Sequence, residues 1–367
     1  MSNQGNHRVG DKKDGPAGAE RPVVQPLLPD GPDRNGKPDI APQVQENLEI
    51  LVEACGSNLV AVVFFGSLLV GTSPTADSAA DLFVVVDDYE RFYRDLHARL
   101  PAARRASIMA ALNRVLPPNI IYLRDPSGLR AGAKCFVIDR RDFSRSLSPE
   151  SLDHFCRGRL IQRVQIVYSR THRIRDEVEV QLESARRGAV DWVPLYLPVQ
   201  FTVLEFCLRM LEVSYAKEIR PESRSRVLEV FEAQKSYFRL MYGRILKEAV
   251  ADGRLRTVGE RYSRVVNPRF PERLAWRVFF AKSKMRATVR WVKYMLTFDD
   301  WLDYITRKAE RRTGLHLELT KAERRFPAIL LWPKLFRVLG AMRAKVPSDP
   351  DRDAAGDRPE NSDGGSH

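Results

Sequence analysis

Two short runs that are apolar on both faces constrain this chain most: Leu59-Val60-Ala61-Val62-Val63-Phe64-Phe65 and Asp81-Leu82-Phe83-Val84-Val85-Val86. Each is too short for a helix and rich in β-branched and aromatic side chains, so both read as strands covered above and below. Amphipathic spacing of Leu48, Leu51, Val52 and Ala54 predicts a preceding helix over 44–56, stopped at Gly56, and an Arg- and Leu-rich helix is expected over about 89–115. Further strands are expected at Asn119–Leu123 and Lys134–Ile138, on either side of the turn residues Asp125-Pro126-Ser127-Gly128. That order gives an α+β domain with one mixed sheet and flanking helices.

From about 148 the pattern is helical, at Pro149–Gly158, Arg175–Arg187, Pro198–Val213 and Ser223–Val250, with one short strand at Val164–Tyr168. The 367 residues divide into a disordered arm over 1–42, a sheet domain over 43–185, a helical domain over 186–265, a basic helical segment over 266–346 and a disordered acidic tail over 347–367. The two ends are too poor in apolar side chains to offset the entropy of ordering. No apolar leader and no run of about 18 apolar residues occurs, so the chain is expected to be cytoplasmic or peripheral to a membrane, not spanning. Cys55, Cys135, Cys156 and Cys207 form no CxxC pair and are expected as buried, reduced thiols. The six histidines show no ligand spacing, which argues against a structural zinc site.

Chemistry enters where the first strand ends. Gly66 allows close approach of the backbone to a phosphate, neighbouring N–H groups can cradle its oxygens, and the Ser67 hydroxyl adds a donor. Asp81, at the mouth of the next strand, is placed to hold Mg²⁺ beside that phosphate. An apolar strand, Gly-Ser, a connection and then Asp before an apolar strand resembles the hG[GS]…DhD signature of the polymerase-β-like nucleotidyltransferase superfamily. The second carboxylate of that signature is missing, since Ala79 and Phe83 flank Asp81 at a spacing of two. Asp87 lies six residues along, roughly 20 Å at about 3.3 Å per residue, too far to share an ion. A second ligand is left to Asp77, Asp125 or Asp139, for each of which turn capping is the ordinary role.

The pattern of Phe65-Gly66-Ser67-Leu68 followed by Asp81 to Asp88 also resembles the mitochondrial-type phosphatidate cytidylyltransferases, the mitochondrial translocator assembly and maintenance family. The likeness continues through Lys134 before its strand, Arg157-Gly158-Arg159-Leu160, Val213-Ser214-Tyr215 with Glu218 and Arg220, and Phe238-Arg239, Tyr242-Gly243 and Ile245-Leu246. The family's Tyr, second Gly and Trp-His pair stand here as Phe65, Leu68 and Phe92-Tyr93. The resemblance implies transfer of CMP from CTP to phosphatidic acid with Mg²⁺, giving CDP-diacylglycerol and diphosphate. It implies nucleotide phosphate binding at Gly66 and Ser67, Mg²⁺ at Asp81, and basic contacts to nucleotide or lipid phosphate at Lys134 and Arg159.

The net charge of +13 has a location: residues 271–346 hold 18 Lys and Arg against 7 Asp and Glu, a surplus of 11. These cations alternate with Trp276, Phe279, Phe280, Met285, Trp291, Tyr294 and Met295, and later with Phe326, Ile329, Leu330, Leu331, Trp332, Leu335, Phe336, Val338 and Leu339. Such a segment can lie at the inner face of a membrane, which access to a lipid substrate would require, or pack as helices back onto the core with a basic outer face. Nucleic acid is the less favoured partner, because no recognised motif for it is present. The rivals to the cytidylyltransferase expectation are a nucleotidyltransferase with a sugar or protein hydroxyl as acceptor, and a non-catalytic lipid- or nucleic-acid-binding protein on the same fold.

Overall fold

A computed structural model describes residues 23–24, 41–72, 79–100, 104–123, 132–216, 223–297 and 320. Asp77, Asp125, Glu218, Arg220, the stretch Phe326–Leu339, the acidic tail and nearly all of the N-terminal arm lie outside them. Met1–Lys293 forms one compact unit, and the remainder, Tyr294–His367, a second.

The two apolar runs are neighbouring strands at the centre of an α+β fold. After β1 (Val23–Val24) and α1 (Ala41–Cys55), β2 (Leu59–Phe65) leads through α2 (Ser67–Val70) to β3 (Ala80–Val86). Helices α3 (Tyr89–Arg99) and α4 (Ala106–Val115) precede β4 (Asn119–Leu123) and β5 (Ala133–Asp139). Then come α5 (Arg140–Leu147), α6 (Phe155–Leu160) and β6 (Gln165–Ser169). The mixed sheet has the order β1-β6-β2-β3-β5-β4, with β3 and β5 parallel and the other pairs antiparallel. All seven residues of β2 are buried, as a strand covered on both faces must be.

Strand alternation sends Val62, Phe64, Leu82, Val84, Cys135 and Val137 toward α1, α3 and α4. The opposite parity, Val63, Phe65, Phe83, Val85, Phe136 and Ile138, enters a core shared with α7 (His172–Arg187), α9 (Val203–Ala216), α10 (Arg224–Ala233) and α11 (Lys235–Ala251). The residues read from sequence as a sheet domain and a helical domain thus pack around a common core. All four cysteines are buried and unpaired.

Several elements differ from the sequence reading. The helix expected over 89–115 is two, because Leu100 precedes Pro101 and takes an extended backbone at φ −119° and ψ 128°. The helix expected at Pro149–Gly158 is a turn followed by α6; Asp153 spends its carboxylate on the Phe155 amide, 3.1 Å, and on two arginines. The helix expected at Pro198–Val213 begins only at Val203, after α8 (Ala189–Trp192), a 3₁₀ turn (Val193–Tyr196) and β7 (Gln200–Phe201). Thr202 and Glu205 cap it reciprocally: the Glu205 amide donates to Thr202 Oγ1 at 3.2 Å, and the Thr202 amide to Glu205 Oε2 at 2.7 Å. Ser223–Val250 is interrupted at Gln234, which separates α10 from α11. A small sheet of β7 with β8 (Leu255–Val258) and β9 (Arg261–Arg264) carries too few apolar positions to be read from sequence.

The last described helix, α12 (Phe270–Thr297), seats Phe280 in the core with Trp276 and Phe279 packed against it. Its docking is also ionic: Asp153 accepts from Arg286 at 2.8 Å and Arg290 at 2.9 Å, and Lys293 donates to the carbonyls of Leu116 and Pro118. Facing solvent instead are Phe270, Leu274, Val278, Met285, Val289 and Val292. Among the described residues no helix is long and apolar enough to cross a membrane.

Candidate active site

The site begins at the end of β2. Gly66 turns the chain with φ +88° and ψ −166°, a region that residues bearing a Cβ avoid. Space imposes the same choice, since a Cβ here would stand 2.6 Å from Asp81 Oδ2. The two residues meet because the antiparallel register sets Phe65 beside Asp81. Beyond Gly66 the chain coils at once: the Val70 amide donates to the Gly66 carbonyl at 3.1 Å, and those of Gly71 and Thr72 to the Ser67 carbonyl at 2.9 and 3.1 Å.

On the other side of Asp81 the parallel register places Lys134, whose Nζ lies 3.7 Å from Asp81 Oδ1. Phe83 and Phe136, two residues farther along each strand, pack on Phe65 with ring centroids 5.0 and 5.2 Å away. Asp81 and Lys134 therefore stand at the rim of the sheet face that the helical layer covers. Their side chains are 22% and 26% exposed.

Opposite this rim the helical layer contributes cations. A cavity of about 200 Å³ is lined by Gly66, Ser67, Thr72, Asp81, Gln162, Tyr215 and three arginines, Arg159, Arg163 and Arg226, with Phe65, Val70 and Val230 as its apolar wall. Arg159, from α6, lies 3.9 Å over the Phe155 ring and donates to the Phe155 carbonyl at 2.9 Å. Arg163 is set by its amide, which donates to Gln234 Oε1 at 2.9 Å, so the break between α10 and α11 positions a cavity residue. Arg226, on α10, donates to Glu229 at 2.7 Å and to Thr72 Oγ1 at 3.1 Å, tying the helical layer to the turn after Gly66.

No family model matches this chain. Nor does any curated protein match it by sequence. What converges among the described residues is a space of about 200 Å³ walled by three guanidiniums, a hydroxyl-bearing turn and one carboxylate, groups suited to binding an anion.

Of the residues expected from sequence, Gly66, Ser67, Asp81 and Arg159 line this one cavity, and Lys134 borders it through Asp81. The candidates for a second metal ligand fare differently. Asp139 ends β5 level with Val86, five residues beyond Asp81, roughly 17 Å away at about 3.3 Å per residue. It caps α5, accepting from the Asp142 amide at 2.6 Å, and burial raises its pKa. Asp87, at the same end, pairs with Arg170 at 2.6 Å. Among the described residues no three His, Cys, Asp or Glu side chains cluster as a metal site. The donor set suits Mg²⁺ in one way, with Asp81 and the phosphates of a bound nucleotide as shared ligands, because Mg²⁺ is commonly held by one or two carboxylates and substrate oxygens.

Phe92 and Tyr93 are core residues. The Tyr93 hydroxyl accepts from Asn113 at 3.2 Å and Asn119 at 2.9 Å, and neither ring lines the cavity. Sequence reasoning missed Thr72, Gln162, Arg163 and Arg226. Arg159 and Arg163 are four residues apart, but α6 ends at Leu160 and no helical spacing links them, so Arg163 carries no sequence signal. Arg226 sits among several arginines with nothing in the sequence to single it out.

Proposed function

We propose that this protein is a nucleotidyltransferase that transfers CMP from CTP to phosphatidic acid, releasing diphosphate. The observation that carries the reading is the meeting of Gly66, Ser67, Asp81 and Arg159 in one cation-lined cavity. The turn and the arginines hold the triphosphate, Asp81 would hold Mg²⁺ beside it, and Lys134 pairs with the Asp81 carboxylate. When bound, Mg²⁺ neutralises charge on the reacting phosphates. An oxygen of the acceptor phosphate forms a bond to the α-phosphorus while the bond from that phosphorus to the bridging oxygen breaks. The diphosphate leaves with the electron pair.

The single carboxylate favours this acceptor over a hydroxyl. A sugar or protein hydroxyl must lose a proton to a base within hydrogen-bond reach, and among the described residues that line the cavity Asp81 is the sole carboxylate or imidazole. A phosphate oxygen is already anionic and needs no base. Access to a lipid is supported by the exposed aliphatic stripe of α12, bordered by exposed Arg273, Arg277, Lys282 and Lys284, which suits a peripheral position at the inner, cytoplasmic face of a membrane.

Purified protein, Mg²⁺, each labelled nucleoside triphosphate and phosphatidic acid vesicles test the proposal together. Lipid-soluble label from CTP, lost in Asp81→Asn, is the expected result. Label on another acceptor would move the assignment within the nucleotidyltransferases. Absence of transfer to any acceptor, with vesicle or nucleic-acid binding intact, would replace it with a binding role.

A further inference from the structure

We infer that Phe155 and Arg290 are positioning residues for Arg159, which reaches the cavity from α6, and that the docking of α12 holds them in place. The assignment deepens the nucleotidyltransferase reading, and its link to the reaction rests on that reading. It starts from one ring. The Arg159 guanidinium carbon lies 3.9 Å from the centre of the Phe155 ring, and that of Arg290 lies 4.2 Å from the same centre. One face of a phenyl ring has no room for two guanidiniums at these distances, so they cover opposite faces. Phe155 thus stands between a cavity residue and a residue of α12 that is only 1% exposed, with Phe136 backing it onto the sheet at 6.2 Å.

Local structure explains why α12 is needed. Helix α6 has six residues, too few to persist alone, and His154 gives it no side-chain cap. Support comes from α12 at three successive residues. Asp153 Oδ2 accepts from Arg286 at 2.8 Å and Arg290 at 2.9 Å, while its Oδ1 accepts from the Phe155 amide at 3.1 Å. The His154 amide donates to Ser283 Oγ at 2.9 Å, and its ring meets Phe280 at 5.3 Å. Phe155 takes the Arg290 guanidinium on its ring.

The consequence falls on Arg159. An arginine side chain has several rotatable bonds, and ordering it only when a ligand arrives weakens binding. Here the Phe155 ring and the Phe155 carbonyl, which accepts from Arg159 at 2.9 Å, order it beforehand. Loosening of α12 reaches the cavity by this route, although neither Phe155 nor Arg290 lines it.

The test applies phenylglyoxal, which modifies guanidiniums, to the full chain and reads the rate at each arginine by peptide mass spectrometry. Phe155→Leu and Arg290→Met should each speed modification of Arg159 about threefold, as loss of a cation–π contact allows, and leave exposed Arg94 on α3 unchanged. Phe155→Tyr keeps the ring face and should keep the wild-type rate. Unfolding temperatures show which variants are folded, and Arg290→Met carries the test if Phe155→Leu is not. Arg159 reactivity that stays at the wild-type level in a folded variant, rises as much in Phe155→Tyr as in Phe155→Leu, or rises together with Arg94 overturns the inference. In the transfer assay with CTP the same two variants should raise KM more than they lower kcat. The expected labelling in a wild type that transfers no nucleotide leaves the positioning role standing and removes the proposed reaction; transfer with unchanged labelling does the reverse.

Discussion

Replacing Gly66 with alanine tests the backbone and the site together. Its conformation, φ +88° and ψ −166°, is essentially restricted to glycine, and forcing another residue into it costs about 1–3 kcal/mol. The new methyl would also meet Asp81 Oδ2 at 2.6 Å and Asp81 Cβ at 3.3 Å, so the carboxylate must swing away from Lys134, 3.7 Å on its other side. That half-buried ion pair contributes up to about 1 kcal/mol. A total of about 1–4 kcal/mol follows, which at roughly 2–4 °C per kcal/mol for a unit of this size lowers the unfolding temperature by about 2–16 °C. Nucleotide binding should fall further than stability does, because the displaced groups are those that face the ligand. A double-substitution cycle isolates the contact: in an Asp81→Ala background the carboxylate is gone, so Gly66→Ala should cost about 1 kcal/mol less than in the wild type. Equal costs in the two backgrounds would refute the argued clash with the carboxylate, and a fully stable Gly66→Ala would refute the backbone argument as well.

Acid should destabilise the fold through His154. Burial first, then the charge of Arg157, lower its pKa from 6.5 to about 3, against the opposing pull of Asp153. Its Nε2–H donates to Ser214 Oγ at 3.0 Å, which itself donates to the Met210 carbonyl at 2.8 Å, while Nδ1 has no hydrogen-bond partner among the described residues. Below pH 6.5 the unfolded chain therefore binds a proton that the folded one refuses, and stability falls by up to about 1.4 kcal/mol per pH unit while it is level above. Denaturant titrations from pH 7.5 to 4.5 should show this slope, and His154→Gln should flatten it. Gly158→Ala would place a Cβ 2.9 Å from His154 Cδ2, one residue from Arg159. It should lower both the unfolding temperature and nucleotide affinity, and calorimetry showing neither loss would exclude the contact. Asp153→Asn leaves the buried Arg290 guanidinium without its counter-charge, so α12 should loosen at a cost of about 3–5 kcal/mol, read by hydrogen exchange along 276–293.

Much of the sheet was legible in the sequence because a strand covered on both faces leaves an unbroken apolar run, as Leu59–Phe65 does, and because Gly66-Ser67 and Asp81 mark the ends of two such runs. The start of α9 was misread: the expected helix reached back to Pro198, whereas Thr202 and Glu205 cap each other and begin it at Val203. Helix breaks were less legible. The break at Gln234 follows from a hydrogen bond to the amide of Arg163, which lies 71 positions away in the chain.

For the site, sequence determined which residues can do phosphate chemistry, since glycine's freedom, a hydroxyl and a carboxylate are properties of residue types. Tertiary structure alone decided which of them share a space. The β2–β3 register brings Asp81 against Gly66, and the packing of α6, the turn after it and α10 over that rim adds Arg159, Arg163 and Arg226. Surface-compatible arginines abound in this chain, and only the burial of an apolar core shared between sheet and helices selects three of them to face one carboxylate.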